Sequence, residues 1–308
     1  MEIPDIDASF FREEERLGFT VSSMMKRAWA CHMRTLCEVD KVCERHGLKY
    51  YMDYGSLLGA VRHGGFIPWD DDLDISMMRK DYMEFIKYAP SELPASYLVS
   101  SLYRDEVTYQ PFICGVLNRR EVDVDKELTR EFYGCPYICG IDIFPIDNIP
   151  EDPDVFNAFK ELYMVFYDAF MRFDELTATG EMDEYIPRME ELIGFPIERG
   201  EGLRKNIASI ADGISSMYMD EETPLIGNMR EIVIDGKPAR SAQWYERNFT
   251  VPFEMTNVRI PGEPYEVLKY VYGPEFGKVV KASAMHDYPF YKKQEEARFR
   301  VFGPLETE

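Results

Sequence analysis

Apolar residues recur at helical spacing through Met25, Trp29, Met33, Leu36, Val39 and Cys43, which predicts an amphipathic helix. Ser22-Ser23 stands in front of it as a cap, and Gly47 follows it where a helix ends. Residues 48–54 read as a strand, broken by Gly55-Ser56, where Ser56 can cap a short helix over 57–62; Gly64-Gly65 is a loop. Over 72–77 acidic or polar positions alternate with apolar ones, the period of a second strand. A helix over 81–88 with Tyr82, Phe85 and Ile86 on one side comes next, then strands over 97–103, 112–118 and 139–144. After Pro150-Glu151-Asp152-Pro153 the texture changes. Long helical periodicity fills residues 154 to 219, with Phe156, Phe159, Leu162, Phe166 and Phe170 in a core-facing stripe. From Glu231 onward short segments alternate with turns at Asp235-Gly236 and Ile260-Pro261-Gly262. The pattern predicts an α/β chain with a mixed sheet, a core over 1–150, a helical insertion over 151–225 and an irregular C-terminal region over 226–308 packed on the core.

Composition narrows the partners. The 308 residues are 45% apolar and 14% aromatic, ample for a packed core. Lys plus Arg number 35 and Asp plus Glu 56, so 35 − 56 gives a net charge of −21. Such a surface repels phosphate backbones and anionic lipid alike, so no nucleic acid is expected as partner, and an anionic ligand needs a local remedy such as metal ions. The start, Met1-Glu2-Ile3-Pro4-Asp5, lacks the basic and apolar stretches of a signal peptide. No run reaches the roughly 18 apolar residues of a membrane span; Leu162 to Met171 comes nearest and contains Asp168. A cytoplasmic chain without membrane insertion is the expectation, and the six cysteines are read as free thiols. Cys135-Pro136-Tyr137-Ile138-Cys139 offers half of a zinc site, but no second Cys/His pair at finger spacing follows.

The chemistry concentrates between Tyr54 and Ile75. Asp72 and Asp74, two apart on an expected strand, point to one face. Like charges that close resist ionisation together, and a hard divalent cation, Mg²⁺ or Mn²⁺, resolves the conflict. Asp142, between Ile141 and Ile143, adds a third strand-borne acid that is costly to bury unless paired or metal-bound. Gly55-Ser56, at a strand-to-helix corner, offers backbone N–H groups and a positive helix end to a phosphate. A solvated acidic loop is the ordinary fate of a run such as Asp70-Asp71-Asp72. A calcium loop fails, because Ile75 and Asp81 stand where Gly and Glu are required. Gly273 to Lys278 fails as a P-loop, with three residues between its glycines and no Ser or Thr after the lysine. Neither a hydrolase elbow nor a dinucleotide fingerprint occurs.

The order Gly55-Ser56, Asp72-Leu73-Asp74-Ile75, then Ile141-Asp142-Ile143 resembles the nucleotidyltransferase superfold pattern. More narrowly, residues 55–63 with 65–75 and the Gly140-to-Asp147 segment resemble the LicD family of phosphocholine transferases, which includes fukutin-type ribitol-phosphate transferases. Weaker agreement lies at Val251-Pro252-Phe253-Glu254, at Tyr270 to Gly273 and around His286. The resemblance implies that Asp72, Asp74 and Asp142 are catalytic and hold the metal, Mg²⁺ or Mn²⁺, with Asp142 also available as proton acceptor. It implies that Gly55, Ser56, Arg62, His63 and Trp69 serve the donor. Arg62 offers a guanidinium to a phosphate or pairs with the acids; His63 is an outer ligand or a loop residue; Trp69 stacks on a base or packs. The implied reaction is transfer of phosphocholine, or another phospho-alcohol, from a CDP-alcohol (CDP-choline first) to a glycan or lipid-linked glycan hydroxyl at the inner face of a membrane, releasing CMP. Trp244, Tyr245, Tyr288 and Phe290 are candidates for a choline cage. Two alternatives stay open: an NTP-dependent nucleotidyltransferase releasing pyrophosphate, and a non-catalytic glycan-binding protein on this scaffold.

Overall fold

Ser22 caps the first long helix and Gly47 ends it, as the spacing predicts. In the computed structural model, whose described residues are 5–104, 111–281 and 288–303, helix α1 spans Ser23–His46. The Ser22 hydroxyl accepts the Met25 N–H at 3.1 Å, and Gly47 closes the helix at φ +66°, a left-handed conformation that suits glycine. Two short strands that the pattern did not announce, β1 (Glu14–Arg16) and β2 (Phe19–Val21), precede α1 as a hairpin.

The central sheet is mixed. Strands β3 (Tyr51–Met52), β4 (Asp74–Met78), β5 (Leu98–Ser100), β6 (Cys114–Leu117) and β7 (Gly140–Ile149) lie in the order β3-β4-β7-β6-β5. Only the β4–β7 pair among these is parallel. Helix α2 (Tyr54–His63) links β3 to β4, and α3 (Arg79–Glu92) follows β4; a short α4 (Lys126–Arg130) precedes β7. The expected strand over 48–54 is only two residues long, because Asp53 already caps α2 by accepting the Tyr54 N–H at 2.9 Å. Helix α2 therefore starts three residues earlier than expected, and Ser56 is not its cap. Strand β7 runs five residues past the expected end. Its first part pairs with β6 and its last part with β8 (Leu225–Gly227); the change falls at 144–146, where Pro145 has no N–H to donate.

The helical middle builds its own apolar cluster from α5 (Pro153–Met171), α6 (Phe173–Thr179), α7 (Met182–Ile193) and α8 (Leu203–Ser215). Met229 and Ile232 of α9 (Met229–Val233) join this cluster, beyond the boundary expected at 225. The C-terminal part returns to the main core: β9 (Arg240–Ser241) extends the sheet through β8, and the hairpin of β10 (Asn248–Phe253) and β11 (Thr256–Pro261), with α10 (Pro264–Tyr272), buries Phe253, Val258, Val267 and Leu268 there. Helix α11 (Lys292–Phe302) closes the described chain. No helix among the described residues is long and apolar enough to cross a membrane.

The two cores are clamped by one cation. Arg79, buried at the start of α3, donates to Asp147 of β7 at 2.6 and 3.0 Å and to both oxygens of Asp212 of α8 at 3.0 Å. Losing one partner of such a buried network leaves uncompensated charge, at a cost of about 3–5 kcal/mol. We expect Arg79→Ala to lower the chain's stability by about that amount in a urea titration. A change under about 1 kcal/mol would mean that the two cores do not depend on this clamp.

Candidate active site

The acids meet where α2 begins. Parallel pairing sets Asp74 of β4 directly against Asp142 of β7, so the two side chains share a face at one level of the sheet. Asp72 lies two residues before β4, in the segment that leads into it. Asp72, Asp74 and Asp142 are each half-buried, accessible at the sheet's end. The largest electrostatic influences on Asp74 are four other carboxylates, those of Asp72, Asp142, Asp70 and Asp53; with burial they hold its carboxyl well above the usual range. Burial and the Asp72 charge raise Asp142 from 3.8 to about 6. Electrostatics thus tie together the three acids that the sequence singles out.

Asp70 joins them, a residue read from sequence only as part of a loop run. Burial, then the charges of Asp72 and Asp71, push its carboxyl well upward. One ligand oxygen from each of Asp70, Asp71 and Asp72 lies within 4.8 Å of the others. The Asp70 carboxylate packs on the first turn of α2: a Cβ at Gly55 would stand 2.3 Å from Asp70 Oδ2. Any side chain at 55 would therefore displace the Asp70 carboxylate. Asp71 is fully buried and accepts the Phe290 N–H at 2.5 Å, tying the acidic segment to the C-terminal region.

Ser56 belongs to the site by a different contact than expected. Its hydroxyl accepts the Asp74 N–H at 2.8 Å and so fixes the first turn of α2 to the first residue of β4. Arg62 and His63 do not reach the acids through α2. They occupy its far end, and seven residues of helix place Arg62 about 10 Å from Gly55 along the axis. Arg62 donates to the carbonyls of Phe276 and Lys278 at 3.2 and 3.1 Å and to His63 Nε2 at 2.9 Å. Trp69 is half-buried, with Phe19 edge-on at 6.3 Å and the Lys281 ammonium 6.0 Å from its ring centre. The cage candidates fall into two groups. Tyr245 meets Tyr51, and Trp244 meets Tyr270; Tyr288 meets Phe19, and Phe290 meets His32 and Tyr291. Burial with the Asp71 and Asp70 charges pushes the Tyr288 phenol to about 12. His286 lies outside the described residues.

Supporting contacts come from distant sequence. Fully buried Arg240 donates to Asp53, the α2 cap, at 2.9 Å, to Glu231 at 2.9 Å and to the Tyr245 hydroxyl at 2.7 Å. Trp29 of α1 donates its indole N–H to the Asp70 carbonyl at 3.0 Å. Glu254 accepts from Arg16 at 2.6 Å and from the Phe66 N–H at 3.1 Å, holding the loop that leads to the acids. These partners, up to 238 residues away, left no local signal in the sequence.

Residues 47–110, which include Gly55 and Asp70 to Asp74, match the family described as LicD/FKTN/FKRP, nucleotidyltransferase domain. Over that segment the chain is similar to the LicD family. It is 31% identical over 114 residues to lipopolysaccharide cholinephosphotransferase LicD of Haemophilus influenzae, covering 37% of this chain and 41% of that protein. It is 38% identical over 71 residues to ribitol 5-phosphate transferase FKRP of Homo sapiens, 21% of this chain and 14% of that one. An uncharacterized Rickettsia prowazekii protein is 40% identical over 63 residues, 20% and 24% of the two chains. The chain thus spans less than half the length of these curated relatives.

A raised carboxyl has a signed consequence for stability. The folded chain binds the Asp142 proton more tightly than the unfolded chain does, so stability is lost as pH rises from about 4 through about 6. Asp142→Asn should therefore raise the stability of the metal-free chain at pH 7, by about 1–3 kcal/mol, with the gain fading below pH 4. Equal destabilisation at both pH values in thermal melts would contradict this electrostatic picture.

Proposed function

We propose that this chain is a metal-dependent transferase that moves phosphocholine, or a related phospho-alcohol, from a CDP-linked donor to a glycan hydroxyl. The observation that carries the reading is the shared level of Asp74 and Asp142 on parallel strands, with Asp72 beside them and the glycine-led turn of α2 alongside. The relatives' names, a cholinephosphotransferase and a ribitol 5-phosphate transferase, support the class of group moved.

The donor set fits Mg²⁺ or Mn²⁺: hard carboxylate oxygens, crowded and half-buried, whose strongest mutual influences are negative. Asp72, Asp74 and Asp142 would hold the ion. When bound, it would neutralise the diphosphate and the charge that develops on the leaving phosphate. The chain's own residues do the remaining work. Ser56 holds the Asp74 backbone, Gly55 keeps the first turn of α2 open, and the sheet fixes the acids in register. The acceptor oxygen forms a bond to the phosphorus nearer the alcohol as the bond to the CMP oxygen breaks. The acceptor's proton passes to a carboxylate, and Asp142 is the one assigned that role. Positioning and charge neutralisation dominate such a transfer. For a choline head, Tyr288 with Phe19 offers aromatic faces beside Asp70 and Asp71.

Incubation with Mg²⁺, a glycan acceptor and CDP-choline, CDP-ribitol or CDP-glycerol should yield CMP from one of them. Asp72→Asn and Asp74→Asn should each cut that rate by at least about a hundredfold with the fold intact by circular dichroism. Pyrophosphate release from an NTP would overturn the reading in favour of nucleotidyl transfer, and near-normal rates in both variants would remove the acids from catalysis.

A further inference from the structure

Three thiols converge where α1 meets the entry of β7. Cys31 of α1 meets Cys135 and Cys139, which flank the Pro136-Tyr137-Ile138 bend before β7. All three are buried, and one sulfur of each lies within 4.8 Å of the others. The Cys135 and Cys139 sulfurs are 3.7 Å apart. Zinc–thiolate bonds of about 2.3 Å in a tetrahedron set sulfur–sulfur edges near 3.8 Å, so this spacing is that of two ligands on one ion. The sequence offered only the Cys135–Cys139 half; α1 brings the third ligand from more than a hundred residues away.

A second observation concerns charge. Arg119 is buried, stacks on Phe132 at 4.7 Å, and has Nε and Nη2 without hydrogen-bond partners among the described residues. Its charge acts on Cys31 and Cys135. A buried guanidinium is costly without an anion. Three thiolates around a divalent ion carry one net negative charge, which Arg119 balances; a monovalent ion would leave two. Asn118, next to Arg119, accepts the Cys139 N–H at 2.9 Å and donates its own N–H to the Cys139 carbonyl at 2.8 Å, fixing the loop against the thiols.

We propose that Cys31, Cys135 and Cys139 form a structural zinc site whose net charge Arg119 balances. Soft thiolates select zinc, whereas the hard oxygens of the acid cluster do not compete for it. The Phe132 carbonyl, 3.2 Å from Cys31 Sγ, is the oxygen beside the cluster for a fourth position. The ion would pin α1 to the entry of β7, three residues ahead of Asp142. His32, next to Cys31, already makes a parallel tie, its Nδ1 donating to the Gly140 carbonyl at 2.5 Å. The site stands on its own geometry and does not depend on the transfer reaction.

The test uses the full chain, equilibrated with Zn²⁺ under reducing conditions and desalted, with metal content read by mass spectrometry. About one zinc per chain is expected, retained in Asp72→Asn and Asp74→Asn and lost in Cys135→Ser. Should the serine variant fail to fold, Co²⁺ substitution of the unaltered chain decides: thiolate-to-cobalt charge-transfer absorption supports the site. No retained zinc and no such absorption, a Cys135–Cys139 disulfide in the reduced preparation, or zinc retained by a folded Cys135→Ser variant would overturn it.

Discussion

Parallel pairing of β4 and β7 brings Asp74 and Asp142 to one level, and the segment entering β4 adds Asp70 and Asp72. Carboxylates held this close resist ionising together, and burial with their mutual repulsion raises the Asp74 carboxyl well above the usual range and that of Asp142 to about 6. The sheet pays this cost in stability, and the arrangement makes chemical sense when a cation relieves it. The order of the strands, the early start of α2 and the glycine at 55 all serve to keep these groups in register.

The surrounding polar network is built to hold that unfavourable cluster still. Arg240 fixes the α2 cap, Trp29 holds the Asp70 backbone, and Phe290 gives its N–H to Asp71. These contacts come from the C-terminal region and from α1, so the site is a product of nearly the whole chain. Arg79 extends the same logic to the helical cluster, whose Asp212 would otherwise be a buried, uncompensated charge. Buried arginines thus each hold at least two acidic partners, Arg240 at the α2 cap and Arg79 between the sheet and the helical cluster.

Local rules were legible where local physics decides. Helix α1 follows its apolar spacing, its serine cap and its terminal glycine, and the alternation over 72–77 marks β4. The register of Asp74 with Asp142 was readable only as an expectation that buried acids need a partner. Asp53 was invisible as a cap because a strand pattern runs up to it; the Arg240 that secures it lies 187 residues on. Asp70 was hidden because an acidic run in a loop is ordinarily solvated, and only the packing of its carboxylate on Gly55 sets it apart. Arg62, chosen for its guanidinium, is held by the carbonyls of Phe276 and Lys278 instead. The thiol cluster shows the same limit, since half of its spacing is local and the other half arises from tertiary packing.

Direct binding of a divalent ion tests the central claim without presuming any substrate. Electron paramagnetic resonance of Mn²⁺ titrated into the purified chain reads free ion as it disappears. The account predicts saturable loss of the free signal that Mg²⁺ reverses, and that Asp74→Asn abolishes in a variant with an unchanged circular dichroism spectrum. A free signal that tracks total Mn²⁺ throughout, or identical binding by the folded variant, would contradict it.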